Sequence, residues 1–380
     1  MAKSLDAIVV GAGPAGLATA ARLRARGLNA AILEKSDRVG AVWRRHYDRL
    51  HLHTDRGHSG LPGLKMPLVF GRYPSRAQVV DYLESYAAAF DLKPLFNTLV
   101  CTIRRDGRAW RVETNDNSLI APIVIVATGW ADFPYSPEWP RIAAFDGPIL
   151  HSSLYRNPEA FAGKRVLVVG FGNSGGEIAL DLAEAHVDVT LSVRGPVNVL
   201  PRDLLGLPIL TWAIAMQRLP PRIGDKLNAP ILRLALGRIE DLGLTRAAKG
   251  PRQMIAEDGR IPLLDVGTLA QIRSGRIKVR GDIVSFTPNG VVFARSAPEE
   301  FDAVILATGF RPDLRALLPG APGVLSERGA PLVSGGPTAE PGLFFCGATV
   351  SPTGQLREIG IEAARIADAA KALRGGGTAS

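Results

Sequence analysis

The sequence predicts an α/β fold made of two Rossmann-like domains, the smaller inserted into the larger. Two glycine-rich fingerprints carry this prediction, because each lies between a β-branched strand and a helix. Two further apolar strands, each ending in Ala-Thr-Gly, lie on either side of the second fingerprint. A chain of 380 residues is long enough to form two hydrophobic cores.

The first βαβ unit lies near the start of the chain. Residues 7–10 predict a buried parallel strand, and the fingerprint glycines Gly11, Gly13 and Gly16 follow it. Gly11 would form the tight turn, Gly13 would let the backbone approach a pyrophosphate, and Gly16 would allow close helix packing. The strand after the helix ends at Glu34, whose carboxylate can accept hydrogen bonds from a free ribose.

The second βαβ unit repeats this pattern with one change of charge. The predicted strand 165–169 is followed by Gly170, Gly172 and Gly175, and the next strand ends at Arg194 instead of an acid. An acid suits a free 2′-hydroxyl, whereas an Arg suits a 2′-phosphate. We therefore expect FAD at the first site and NADPH at the second. NADH is an alternative ligand of the second site, and Arg194 could instead be an ordinary solvated surface residue.

The Ala-Thr-Gly strands suggest where one domain enters the other. They span 123–129 and 303–309, and small residues at a strand end allow a sharp turn beside a ligand or at a domain crossing. We expect a discontinuous FAD-binding domain of residues 1–156 and 300–380, with an NADPH-binding domain of residues 157–299.

The composition narrows the range of partners. The net charge of +9 favours anionic ligands, but the cations are scattered, so nucleic-acid binding is disfavoured. Cys101 and Cys346 form no CxxC motif, which argues against a dithiol redox site, and no metal-ligand spacing occurs. The apolar stretch 204–217 is too short to span a membrane and predicts a buried or pocket-lining helix; contact with a membrane surface is the alternative. No signal peptide is visible, so we expect a cytoplasmic protein. A homodimer is compatible with the sequence.

One motif before the second fingerprint resembles a known family. Phe145, Gly147, His151 and Tyr155 match the FxGxxxHxxxY pattern of the class B flavin monooxygenases. The Baeyer–Villiger branch of that family continues with Trp-Pro, but here Arg156 follows. The chain is therefore more similar to the plain flavin-containing monooxygenases.

Further stretches resemble the plant YUCCA-type enzymes, which oxidatively decarboxylate indole-3-pyruvate to indole-3-acetate in auxin biosynthesis. These stretches are 49–53, 73–75, 82–87, 172–175, 199–203, 262–267 and 272–279. The chain departs from the plant pattern at Trp130, in 54–58 and in 342–348. The resemblance implies that NADPH reduces FAD, that oxygen adds at flavin C(4a), and that the resulting peroxide transfers one oxygen atom to a small molecule.

The expected residue roles are mainly those of positioning, because the flavin carries the chemistry. Expected FAD contacts are Gly11, Gly13, Pro14, Ala15, Gly16, Glu34, Lys35, Gly40, Trp43, Thr128, Gly129, Gly347 and Gln355. Expected NADPH contacts are Gly170, Gly172, Asn173, Ser174, Gly175 and Arg194. Arg56 and Arg202 are candidates for a substrate carboxylate, although both also fit ordinary structural roles. His151 fits a structural or NADPH-side role better than acid/base catalysis, and Trp43 fits core packing equally well.

Three other functions stay open on the sequence. The same flavin chemistry could oxygenate an amine or a sulfide. An NADPH oxidase would reduce oxygen to peroxide without a dedicated substrate. A flavin-binding redox sensor would leave the second nucleotide site without a purpose. A pyridine nucleotide–disulfide reductase is disfavoured because the chain lacks a CxxC motif.

Overall fold

The computed structural model describes residues 5–294, 296–321 and 323–376. The chain divides into two compact units. The first contains residues 1–44, 54–133 and 311–380, and the second contains residues 45–53 and 134–310.

The N-terminal part of the first unit forms a βαβ unit and a small antiparallel sheet. Its elements are β1 (Ala7–Val10), α1 (Pro14–Ala25), β2 (Ala30–Leu33), α2 (Ala41–Arg45), α3 (Arg76–Ala89), β3 (Val100–Asp106), β4 (Ala109–Thr114), β5 (Ser118–Ala121) and β6 (Ile123–Val126). Strands β3, β4 and β5 pair antiparallel in that order.

The second unit holds the second βαβ unit and the segments that follow it. Its elements are β7 (Ile149–His151), β8 (Arg165–Val169), α4 (Asn173–Glu184), β9 (Asp188–Ser192), β10 (Val199–Pro201), β11 (Asp203–Leu204), β12 (Leu207–Pro208), α5 (Ile209–Ala215), α6 (Pro221–Leu236), α7 (Pro251–Asp258), β13 (Leu263–Asp265), α8 (Thr268–Arg273), β14 (Ile277–Arg280), β15 (Ile283–Thr287), β16 (Gly290–Phe293), β17 (Pro298–Glu300) and β18 (Ala303–Leu306). Its main sheet is parallel throughout, in the order β14-β9-β8-β18-β7.

The chain then returns to the first unit with β19 (Leu343–Phe345) and α9 (Gln355–Gly376). Strand β19 joins a parallel sheet in the order β19-β6-β1-β2. Because parallel strands end at the same edge of a sheet, the fingerprint loop after β1 lies beside the segments after β6 and β19.

Each unit has its own core around its parallel sheet. In the first, Ile8 and Val124 of the sheet pack with Trp110 of the antiparallel sheet. In the second, Leu167 and Val304 pack with an aromatic group that includes Phe286. Fully buried strands of β-branched residues are expected where both faces of a sheet are covered. The predicted α/β class with two Rossmann-like domains is confirmed.

The boundaries between the units differ from the expected ones. We predicted boundaries at 156/157 and 299/300, whereas the structure separates the units at 133/134 and 310/311. The physical reason is hydrogen bonding in the second sheet. Strand β18 pairs with β8 on one side and with β7 on the other. Strands β7 and β18, which we expected in the first domain, therefore belong to the second unit. Each Ala-Thr-Gly strand thus belongs to a different sheet.

The segment 45–53 also departs from the expected first domain. It joins the second unit because it is bound to α4. The Tyr47 hydroxyl donates to Glu177 Oε2 at 2.9 Å, and Arg49 pairs with Glu184.

The apolar stretch 204–217 forms the β11–β12 hairpin and α5. Leu204 and Leu210 are buried there, while most of the remaining side chains are partly or fully exposed. Within the described ranges, no helix is long and apolar enough to cross a bilayer.

Candidate cofactor sites

The three glycines of the first fingerprint have three different environments. Gly11 has a φ of +107°, and an added Cβ there would lie 2.7 Å from the Ala127 carbonyl oxygen. A Cβ at Gly16 would lie 1.8 Å from the Gly11 carbonyl oxygen. At Gly13, in contrast, a Cβ would meet no described atom within 4 Å. The turn and the packing therefore require Gly11 and Gly16, whereas Gly13 leaves open space in front of α1.

The second fingerprint repeats this geometry. Gly170 has a φ of +114°, and a Cβ there would lie 2.4 Å from the Ala307 carbonyl oxygen. A Cβ at Gly175 would lie 2.0 Å from the Gly170 carbonyl oxygen, and one at Gly172 would again meet no described atom within 4 Å. In both units the first glycine thus packs against the alanine of the neighbouring Ala-Thr-Gly segment.

Both helices that follow the fingerprints begin without a side-chain cap from the described residues. The N-cap residues are Gly13 for α1 and Gly172 for α4, and both have extended backbone conformations. The first amides of each helix therefore face the space that the glycine leaves. Backbone donors and the positive end of a helix dipole are the features that bind a pyrophosphate at a helix start. The residues present fit a dinucleotide in each unit.

Glu34 follows β2 and is mostly buried. Its Oε2 accepts from the Ala12 amide at 2.7 Å, and its Oε1 accepts from the Ser36 amide at 2.9 Å. These bonds orient the carboxylate beside the fingerprint loop. Each carboxylate oxygen has a second lone pair, so the group can still accept from ribose hydroxyls. The adjacent Lys35 forms an ion pair with Asp132 at 2.6 Å.

A cleft opens at the carboxyl edge of the first sheet. It is small, with a cavity volume of about 20 Å³. Thr128, Gly129 and Gly347, which we expected near a flavin, line this cleft together with Trp130 and the apolar side chain of Leu314. The sheet topology explains this convergence, because these residues follow two adjacent strands, β6 and β19.

Gly347 links this cleft to the first fingerprint helix. A Cβ at Gly347, where φ is +86°, would lie 3.1 Å from Ala15 Cβ. Gln355 Nε2 donates to the Gly347 carbonyl oxygen at 2.9 Å. We expected the C-terminal helix to begin near Glu358, but α9 begins at Gln355, which places this side chain in the first turn. Pro14 occupies the first turn of α1.

Sequence analysis missed Glu362, a buried carboxylate on α9. Glu362 Oε2 accepts from the Gly347 amide at 2.5 Å and from the Ser334 hydroxyl at 2.9 Å, and Oε1 accepts from the Thr349 hydroxyl. Its position offers a signal, because an acid occupies the buried face of α9 beside Ile359 at a spacing that should be apolar. Glu362 therefore holds the wall of the cleft in place.

Two other expected flavin contacts lie on the segment after β2. Gly40 has a φ of +70°, and its amide donates to the Ala12 carbonyl oxygen at 3.5 Å. Trp43 lies in α2 and is partly buried. Gly40 is thus adjacent to the fingerprint loop.

In the second unit, the expected NADPH residues divide into two groups. Asn173 and Ser174 begin α4, and Asn173 Oδ1 accepts from the Leu264 amide at 2.8 Å, so this side chain also fixes β13. Arg194 lies two residues after β9 and is exposed. It forms no hydrogen bond or ion pair with other described residues, which leaves its guanidinium available for a phosphate.

His151 ends β7 and is buried in the second unit. Its Nε2 lies 3.0 Å from the Gly309 carbonyl oxygen, which can only accept, so Nε2 carries the proton. Its Nδ1 accepts from the Ser153 amide at 3.1 Å. Burial lowers the pKa of His151, although the bond to Gly309 opposes this shift. The imidazole is therefore a neutral bridge between two strand ends.

The other three positions of the FxGxxxHxxxY motif have packing roles. The Phe145 ring packs edge-on against Phe286. A Cβ at Gly147 would lie 2.7 Å from that same Phe145 ring, so only glycine fits there. The Tyr155 hydroxyl donates to Asp181 on α4 at 2.8 Å, and burial raises the pKa of Tyr155. The motif thus holds β7 and α4 within the second unit.

The two candidate carboxylate-binding arginines belong to different units. Arg56 is in the first unit, and its Nη1 donates to the Phe70 carbonyl oxygen at 2.6 Å. Arg202 is in the second unit, with Asp203 at 3.8 Å from its Nε. The contacts of both are compatible with structural roles.

Comparison with known proteins decides the family. A pyridine nucleotide–disulphide oxidoreductase family model matches residues 8–202. The chain is 42% identical to indole-3-pyruvate monooxygenase YUCCA1 of Oryza sativa subsp. japonica, covering 85% of this chain and 81% of the relative. It is 42% identical to probable indole-3-pyruvate monooxygenase YUCCA4 of Arabidopsis thaliana, covering 80% and 75%. The chain belongs to the YUCCA family of flavin-dependent monooxygenases.

Solved structures agree with the fold of this YUCCA family member. A doubly substituted flavin monooxygenase from Stenotrophomonas maltophilia is similar with a TM-score of 0.77 and 27% identity, covering 98% of this chain and 99% of the other. An oxidized steroid monooxygenase bound to NADP matches with a TM-score of 0.76 at 20% identity, covering 98% and 87%. The predicted family is confirmed, and with it an FAD-containing, NADPH-dependent enzyme.

The two cysteines of this YUCCA family member have different environments. Cys101 is exposed, whereas Cys346 is buried. Burial raises the pKa of Cys346 to about 12, so this thiol stays protonated at neutral pH. Within the described residues, no group of His, Cys, Asp or Glu side chains could hold a metal ion.

Proposed function

We propose that this protein oxidatively decarboxylates a 2-oxo acid, with indole-3-pyruvate as the leading substrate and indole-3-acetate as the product. The observation that carries this proposal is the similarity to enzymes named as indole-3-pyruvate monooxygenases, at 38–42% identity over 80–85% of the chain. The reaction consumes indole-3-pyruvate, NADPH, a proton and oxygen. It yields indole-3-acetate, carbon dioxide, NADP⁺ and water.

FAD would bind to the first unit, at the carboxyl edge of its sheet. When bound, it would accept a hydride from NADPH and activate oxygen for transfer to the substrate. The open space at Gly13 and the uncapped start of α1 support a pyrophosphate site there. Glu34 would accept hydrogen bonds from the ribose, and the ring system would lie beside Gly129 and Gly347.

NADPH would bind to the second unit by the same device. Gly172 leaves the space for its pyrophosphate, and the first amides of α4 would donate to it. Arg194 would bind the 2′-phosphate with charge-assisted hydrogen bonds, which NADH cannot form. His151 and Tyr155 would hold the surrounding strands and α4 in position.

The substrate carboxylate requires a cation. Arg56 and Arg202 are the candidates, and the Phe70 carbonyl occupies only one of the five donors of Arg56. Replacing each with Lys would separate charge from geometry, because Lys keeps the charge but loses the bidentate fork. If an arginine binds the substrate, we expect its Lys variant to have a raised KM for indole-3-pyruvate and an unchanged rate of flavin reduction by NADPH.

The test is oxygen-coupled NADPH oxidation, measured with and without indole-3-pyruvate and followed by product analysis. We expect indole-3-acetate and carbon dioxide in equal amounts to the NADPH consumed. Hydrogen peroxide as the main product, with or without the keto acid, would indicate an NADPH oxidase instead. Oxygenated amine or sulfide in competition assays would move the enzyme to the alternative substrate class.

A further inference from the structure

Helix α6 has an exposed apolar stripe in the second unit. Ile223, Leu227, Ile231 and Leu234 lie on it at i, i+4, i+8 and i+11, which is one face of a helix. Their exposed fractions range from 41% to 87%. Single exposed leucines are common, but four on one face indicate a surface that is covered in the working state.

A cationic stripe borders the apolar one on the same helix. Arg222, Lys226 and Arg233 lie at i, i+4 and i+11 and are all exposed. Arg222 pairs with Glu257 at 3.3 Å, but Lys226 and Arg233 form no ion pair with any described side chain. The stripe therefore has two uncompensated charges.

Asp225, the acidic residue of α6, is hydrogen-bonded to α7. Asp225 accepts hydrogen bonds from the backbone amides of Arg252 and Gln253, at 3.1 and 2.9 Å, and so caps the start of α7. It lines the same groove as Lys226 and Arg233 but forms no ion pair with either.

The cationic stripe lines a groove that also has apolar residues in its lining. The groove has a cavity volume of about 270 Å³, and Val199, Leu232 and Ala247 are among its apolar lining residues. Its lining has four cations, Arg222, Lys226, Arg233 and Arg246, of which Arg246 is paired with Glu240 at 3.1 Å. A phosphate group can bind between Lys226 and Arg233 while an attached chain covers the apolar stripe.

Charge selects the occupant of this surface. If a second copy paired its α6 antiparallel across the apolar stripe, equivalent edges would meet, so the two cationic stripes would lie side by side and repel. An anionic bilayer complements both stripes, because headgroup phosphates match the cations and acyl chains match the apolar residues. A helix with an apolar face and a cationic border is the usual form of an interfacial membrane helix.

We infer that α6 binds the surface of anionic phospholipid membranes, with Lys226 and Arg233 contacting the headgroups and Leu227 and Leu234 entering the acyl boundary. This binding is peripheral and does not depend on the substrate of the enzyme. It falls with rising salt, since juxtamembrane cations act through a screened surface potential.

The test is cosedimentation of the full-length holoenzyme with vesicles. We expect binding to vesicles of mixed phosphatidylcholine and phosphatidylglycerol, and little binding to phosphatidylcholine alone. Substituting Lys226→Gln and Arg233→Gln together should weaken binding roughly 30-fold, because each surface cation contributes about fivefold. Substituting Leu227→Gln and Leu234→Gln together should weaken it at least about tenfold.

Matched controls use equally exposed residues elsewhere. Arg104→Gln with Lys371→Gln removes two charges, and Leu68→Gln removes an exposed apolar side chain. Both control proteins should bind vesicles as the wild type does, and all variants should keep FAD and NADPH-driven flavin reduction. Equal binding to neutral and anionic vesicles, or equal losses in test and control variants, would overturn the inference. A dimer that the leucine variants dissociate, with no vesicle binding, would assign the surface to a second copy.

Discussion

The clearest test of the paired nucleotide sites compares two neighbouring glycines of the second fingerprint. Gly172→Ala and Gly175→Ala add the same methyl group three residues apart. At Gly172 the new Cβ meets no described protein atom within 4 Å, and the backbone φ of −94° suits any residue. At Gly175 the new Cβ would lie 2.0 Å from the Gly170 carbonyl oxygen. One change should affect the ligand and the other the fold.

The expected magnitudes follow from these distances. At Gly175 the helix must move away from the turn by more than 1 Å to reach ordinary contact, and overpacking of this kind costs about 1–3 kcal/mol of unfolding free energy. At Gly172 the fold loses about 0.5–1 kcal/mol, because Gly is a better N-cap residue than Ala. The new methyl would occupy the space of the pyrophosphate. Losing one or two charge-assisted hydrogen bonds would weaken NADPH binding about ten- to a hundredfold.

The assay has two readouts, thermal unfolding without nucleotide and the NADPH dependence of flavin reduction. We expect Gly172→Ala to keep the wild-type FAD content and to unfold within about 2 °C of the wild-type Tm, while its Kd for NADPH rises. Gly175→Ala should lower the Tm. The reasoning is wrong if Gly172→Ala binds NADPH normally, or if it unfolds as early as Gly175→Ala.

Three further predictions concern single side chains. Arg194→Ala should raise the Kd for NADPH about ten- to a hundredfold and leave the Kd for NADH nearly unchanged; equal losses would exclude contact with the 2′-phosphate. His151→Gln should flatten the pH dependence of stability. Burial lowers the pKa of His151 below its ordinary 6.5, so the unfolded chain binds this proton more readily than the folded one. Wild-type stability therefore falls as the pH drops through 6.5. Denaturant unfolding across this pH range measures the slope, and an unchanged slope would refute the assignment. Glu362→Gln should cost about 1–3 kcal/mol and release FAD more readily, because its amide nitrogen would face donors such as the Gly347 amide; fluorescence of released flavin measures this, and normal retention would contradict it.

Much of the fold could be predicted because local and long-range signals agree. The two fingerprints each have a strand, a glycine turn and a helix in order, and the structure places them as expected in β1 with α1 and in β8 with α4. In both units, a Cβ added at the first or the third fingerprint glycine would clash with the backbone, so no other residue type fits at these positions. These are constraints of the backbone, so a sequence pattern can report them.

The domain boundaries could not be predicted, because they depend on which sheet a strand joins. Strand β18 is as apolar as β6 and ends in the same Ala-Thr-Gly. Only its pairing with β8 and β7 places it in the second unit. Strand pairing over more than 100 residues leaves no local signal. The contacts of Glu362 were missed because its partners lie in the loops on either side of β19, where Ser334 precedes the strand and Gly347 and Thr349 follow it.

The position of His151 shows why a family motif need not mark a chemical step. A general acid or base must exchange its proton with a reacting group. Here the Nε2 hydrogen is donated in a hydrogen bond to the Gly309 carbonyl oxygen, and Nδ1 accepts from the Ser153 amide, so both nitrogens are bonded to the backbone. Gly309 completes the Ala-Thr-Gly segment whose alanine contacts Gly170. The imidazole therefore fixes the turn beside the second fingerprint, and its neutral form is the one that can make both bonds.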